Sequence, residues 1–145
     1  MNQRTTCWLF AAIVAAAACA RITPPPSPET THVDVVVAAS LAQAYGRTVD
    51  AFLAEGLAAG PGSQPNGTLV SQPTTFGNVG NPLTYRALLV VMDSQTTRIV
   101  LSGTIRNGLG SEDPLHSQMT GWLAGAWQHI QHIADGLRST SKHGG

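Results

Sequence analysis

The chain has 145 residues, eight basic and eight acidic side chains, and a formal net charge of zero. No basic patch of the kind that binds nucleic acid is present, and Lys142 is the only lysine. Both cysteines, Cys7 and Cys19, lie in the first twenty residues, so no disulfide can form within a folded body further along.

The apolar run of residues 7–20 (CWLFAAIVAAAACA) follows a start whose single charge is Arg4. At 14 residues it is shorter than the roughly 20 needed to cross about 30 Å of hydrocarbon. A basic start, a short apolar centre and a small-residue end make a secretory signal. Ala16, Ala17, Ala18 and Cys19 resemble the lipobox of bacterial lipoproteins, with Ala16 where leucine is usual. That resemblance implies a signal peptide over residues 1–18, diacylation of Cys19, and attachment to the outer or inner membrane facing the periplasm. Several acyl chains on one cysteine make a stable anchor, which a single chain does not. The alternative is cleavage after Ala18-Cys19-Ala20, an A-x-A site, giving a soluble periplasmic or secreted chain from Arg21.

Removal of the signal leaves about 125 residues with a charge near −1, enough for one small domain with a core. Residues 19–31 carry the lipid site and a tether, RITPPPSPETT, whose Pro24-Pro25-Pro26 favours extended geometry. A single domain is expected over residues 32–140 and a frayed tail over 141–145.

Residues 32–37 (HVDVVV) predict a strand. Ser40 and Gln43 form the capping-box pattern of a helix start. Leu41, Ala44, Tyr45, Thr48, Val49, Phe52 and Leu53 then recur at helical spacing, with Gly56 or Gly60 to stop the helix. Residues 60–67 (GPGSQPNG) read as a loop, 68–72 as a short strand, and 73–82 as a second loop of flap length. Residues 85–92 and 98–106 are the strongest strand signals, joined by a turn at Asp93-Ser94-Gln95-Thr96. In the second of these, Ile99, Leu101 and Ile105 alternate with Arg98, Ser102 and Arg106, which predicts one inward and one outward face.

After a loop at 108–113, Asp113 and Pro114 suit the N-cap and first position of a helix running to about Ser139. Leu115, Met119, Trp122, Leu123, Ala126, Trp127, Ile130, Ile133, Ala134 and Leu137 fall within roughly 140° of its circumference. The expected fold is α+β: a small antiparallel sheet, order β-α-β-β-β-α, with two helices on one face. In element order it is similar to helix-grip domains of lipoproteins that accompany outer-membrane assembly machines, and the plan resembles small lipoproteins of unassigned role.

Candidate chemistry is sparse. His129 and His132 stand one turn apart, a spacing that can offer two metal ligands, but no third ligand is evident on that face. Ser111, Glu112, Asp113 and His116 bring hydroxyl, carboxylate and imidazole together, yet they suit a loop and a helix start. Gly108-Leu109-Gly110-Ser111 is followed by glutamate, so it is no nucleophile elbow. No catalytic, cofactor or metal residue is therefore assigned, and no enzymatic activity is expected. Gly121, Gly125 and Gly136 share a band of the last helix with His129 and His132. Small residues one turn apart admit another backbone, which makes Gly121, Gly125, His129 and His132 a candidate interaction surface. The expected role is a non-enzymatic accessory or interaction module, bound to a membrane through its lipid and to an envelope protein partner. A periplasmic binder of small molecules or metal is the alternative.

Overall fold

A computed structural model describes residues 28–75 and 80–141. The signal segment, Cys19 and most of the tether lie outside the described residues, as do the centre of the 73–82 loop and the tail beyond Ser141.

The elements run β1 (His32–Val37), α1 (Leu41–Ala54), β2 (Ala59–Ser63), β3 (Thr68–Ser71), β4 (Leu83–Asp93), β5 (Thr96–Arg106), β6 (Glu112–Pro114) and α2 (Trp122–Ser141). The fold is α+β. All pairings are antiparallel, in the order β1-β5-β4-β3-β2, and β6 pairs with β5 beyond the reach of β1. The backbone of β1 meets β5 from Val37 opposite Thr97 to His32 opposite Ser102. The β4–β5 hairpin turns at Ser94-Gln95, where Asp93 Oδ1 accepts the Gln95 N–H at 2.8 Å.

Ser40 is the N-cap of α1, and the Gln43 side chain accepts the Ser40 N–H at 3.3 Å. Past the C-cap Glu55, Gly56 takes a φ of +73° and reverses the chain without the penalty a Cβ would bring. Ala44, Thr48 and Phe52 are buried, while Leu53, expected in the same stripe, is 55% exposed. Its position lies one residue past Phe52, rotated about 100° away from the sheet.

One core gathers the inward residues of the sheet and one face of each helix. Val35, Leu69, Leu83, Tyr85, Ile99 and Leu101 supply the sheet side; Phe52, Trp127, Ile130, Ile133 and Leu137 supply the helices. Two buried hydroxyls are satisfied by backbone carbonyls. The Tyr85 hydroxyl donates to the Ala126 carbonyl at 3.2 Å, and the Thr97 hydroxyl donates to the Ala39 carbonyl at 2.9 Å.

Two expectations are corrected. The 60–67 segment begins as a strand: residues 59–63 pair with β3 through an irregular register between Ala59 and Gly62. Glycine permits this, because a Cβ at Gly60 would stand 2.9 Å from the Val70 carbonyl oxygen. Asp113 and Pro114 do not start a helix but lie in β6, and α2 begins only at Trp122. Asn107 closes the preceding turn, its Oδ1 accepting the N–H groups of Leu109 and Ser111 at 3.0 and 3.1 Å. The sheet bond from the Leu115 N–H to the Gly103 carbonyl, 2.8 Å, then carries the extended chain onward. Leu115 is fully buried all the same, reaching the core from a strap rather than from a helix.

Candidate functional site

The band of α2 that the sequence marks out is partly occupied from within. Gly121 takes φ +62° immediately before the helix, so it shapes the entry into α2 rather than lying on its face. A Cβ at Gly125 or Gly136 would meet nothing within 4 Å. His129 is half-buried and turned toward α1, where Glu55 at the C-cap sets a carboxylate oxygen 2.9 Å from its Nδ1. The same oxygen lies 3.6 Å from Nδ1 of the more exposed His132. The carboxylate missing from the helix face is thus supplied by the other helix, from a residue that sequence spacing could not connect to it. Among the described residues, no group of three His, Cys, Asp or Glu side chains is arranged to hold a metal ion. The triplet ties α1 to α2.

Glu55 also acts on the core. Burial pushes the Tyr85 phenol well above its ordinary value, and the negative charge of Glu55 pushes it the same way. The Tyr85 ring lies 6.3 Å from the His129 ring, centre to centre.

The hydroxyl, carboxylate and imidazole groups near residue 111 face different partners. Ser111 contacts Asn107, Glu112 receives Arg86 and Arg106, and His116 faces Glu29 at 3.5 Å. They work as turn and sheet-edge contacts.

The larger uncovered surface is the outer face of the sheet, opposite both helices. Its cross-strand rows follow from the register. Val36, Arg98 and Val90 form one row; Asp34, Val100, Leu88 and Thr68 the next; His32, Ser102, Arg86 and Val70 the third. Val36, Leu88 and Val90 are exposed by 55%, 47% and 44%. An outer face that met only water would alternate to polar residues at these positions. The signal is legible in YRALLVVMD, where apolar residues occupy both parities, Leu88 and Val90 as well as Leu89.

Ion pairs frame the apolar rows. Arg98 reaches Asp34 at 2.6 Å, while Arg86 and Arg106 share Glu112 at 3.1 and 3.3 Å. Around Glu112 this face sets two arginines against one carboxylate. A shallow depression of about 310 Å³ lies within it, bordered by Thr68, Val70, Arg86, Leu88, Val100 and Ser102.

No family model and no curated protein matches the sequence. Among the described residues, no helix is long and apolar enough to cross a membrane.

Proposed function

We propose that this chain is a non-enzymatic accessory module of a bacterial cell envelope. Acylated Cys19 anchors it to the membrane, and the outer face of its sheet binds another envelope protein. The observation that carries the reading is the exposure of Val36, Leu88 and Val90, in two neighbouring rows of a face that neither helix covers. Contiguous apolar surface rimmed by polar groups marks interaction sites on soluble domains. The lipobox-like Ala16-Ala17-Ala18-Cys19 and the Pro-rich stretch behind it support a tethered domain.

Two measurements test this. Intact-mass analysis of membrane fractions should find a chain beginning at acylated Cys19, and Cys19→Ser should remove it from the membrane. A soluble chain beginning at Arg21 would overturn the anchor. A photo-crosslinking residue at Leu88 or at Val36 should capture one and the same polypeptide, identified by mass spectrometry, whereas one at Gln128 should not. Equal capture from all three positions would overturn the assignment of the face.

A further inference from the structure

We infer that the outer sheet face binds an acidic polypeptide segment, placing a carboxylate against the exposed sides of Arg86 and Arg106 and a second, apolar side chain two positions away in the depression beside Leu88. The inference rests on the interaction reading above and specifies its partner.

The charge argument starts from Glu112. One carboxylate serves two guanidinium groups, so one positive charge on this face is left without a matching acid. Arg86 and Arg106 are about half-exposed, at 50% and 59%, so N–H donors not engaged by Glu112 face outward. A guanidinium presents five donors in a planar fork that suits a carboxylate. Thr104, whose hydroxyl lies 3.5 Å from Glu112, sits between the two arginine positions in the pleat and adds a short polar side chain.

The surrounding distribution gives the sign. The described part of the chain holds more acids than bases, eight against five, yet around Glu112 this face sets two bases against one acid. An approaching acidic segment is attracted here and repelled elsewhere, which selects both the surface and the orientation. Beside Arg86 the short side chains of Ser102 and Thr68 leave the depression between Val70, Leu88 and Val100. The apolar and cationic features therefore adjoin. A partner segment with an acidic and an apolar residue two positions apart matches that arrangement, because alternate side chains of an extended chain share one face and lie about 7 Å apart. An anionic lipid surface would use the arginines but has no side chain to place in the depression.

The experiment is affinity selection from a random decapeptide library on the full chain in detergent micelles. Flotation with phosphatidylglycerol vesicles runs in parallel. The expected result is enrichment of peptides with Asp or Glu two positions from Leu, Ile or Val. Affinity for the best of them should fall at least tenfold in Arg86→Gln/Arg106→Gln and steeply with added salt. Leu88→Asp should abolish selection of the apolar residue. Thermal melting of each variant checks that the fold is intact, and Arg86→Lys/Arg106→Lys should keep part of the affinity in a folded chain. Enrichment of neutral or basic peptides, or no enrichment, overturns the inference. So does arginine-dependent flotation with vesicles without peptide selection. If these failures coincide with a single polypeptide crosslinked from Leu88 and Val36, the interaction reading survives and only the partner's chemistry is wrong.

Discussion

Tyr85 concentrates several roles in one side chain. Its ring lies in the core, its N–H donates to the Ser71 hydroxyl at 3.0 Å, and its phenol donates to the Ala126 carbonyl. The protonated phenol is favoured in the folded chain, since burial raises its pKa and Glu55 raises it further. An unfolded tyrosine ionises near pH 10. The contribution is therefore complete below about pH 10 and is lost as the pH rises above that, because only the unfolded chain releases the proton easily. Urea unfolding between pH 9 and 12 should show stability falling more steeply in the parent than in Tyr85→Phe. At neutral pH that variant should cost only about 1 kcal/mol, the net worth of one hydrogen bond. Gly67 is a different single-residue constraint. Its φ is +64°, and a Cβ there would stand 2.2 Å from the Leu89 carbonyl oxygen. Gly67→Ala should destabilise the chain by about 2–4 kcal/mol, combining backbone strain with a clash against a sheet carbonyl.

Helix α2 tests the sequence reading at the level of an element. Ala126, Trp127, Ile130, Ile133, Ala134 and Leu137 are all buried, so the predicted phase is correct over the helix proper. Trp127→Ala should cost about 3–5 kcal/mol, a large part of the 5–15 kcal/mol typical of a domain. Gln128→Ala and Gln131→Ala, both exposed, should change little. Urea unfolding followed by circular dichroism decides this without depending on the removed fluorophore. The first turns of the prediction failed for a physical reason. Leu115 and Met119 fit the helical period, yet the chain before Trp122 is held in sheet and strap by bonds to Gly103 and Thr30. The Leu115 N–H bonds Gly103, and the Ser117 N–H bonds Thr30; both partners are distant in sequence and lie outside any local window. Trp122, one of the residues of the apolar arc, is 37% exposed because the helix begins there and little covers its first turn. Strand β2 was hidden by its own composition, since Gly-Pro-Gly reads as a turn and pairs only because a neighbouring strand is available.

The whole molecule is a sheet with two unlike faces. The covered face was readable from the alternation in β5, where Ile99, Leu101 and Ile105 are buried. The other face was only half readable: its apolar residues were visible in β4, but the rows they form with β1, β3 and β5 depend on register. The candidate surface on α2 was located by helical spacing, and what that spacing could not supply was Glu55, brought in by packing of α1. Glu55 and His129 are both partly buried, and a hydrogen bond to a charged group nets about 1.5–3 kcal/mol, so Glu55→Gln, which keeps an acceptor, should lower stability by no more than about that amount. Exposed Leu88 makes a contrasting prediction at this scale. Leu88→Asp should leave the urea midpoint nearly unchanged and raise the concentration at which the chain stays monodisperse, read by light scattering. A large fall in midpoint would mean that the outer face is structural.

The position of β1 has a consequence for how the chain is assembled in time. Val33 pairs with Leu101 and Val37 with Thr97, so the first strand to be synthesised meets its partner only after nearly all the rest has emerged. The β4–β5 hairpin has the opposite character, with its halves joined by two residues. Local contacts form early because little loop entropy opposes them. The hairpin is therefore the expected nucleus, and β1 docks late against it. In stopped-flow refolding, Leu101→Ala in the hairpin should slow folding, whereas Val35→Ala in β1 should chiefly accelerate unfolding. Until β5 exists, the inward valines of β1, Val35 and Val37, have no sheet to cover them.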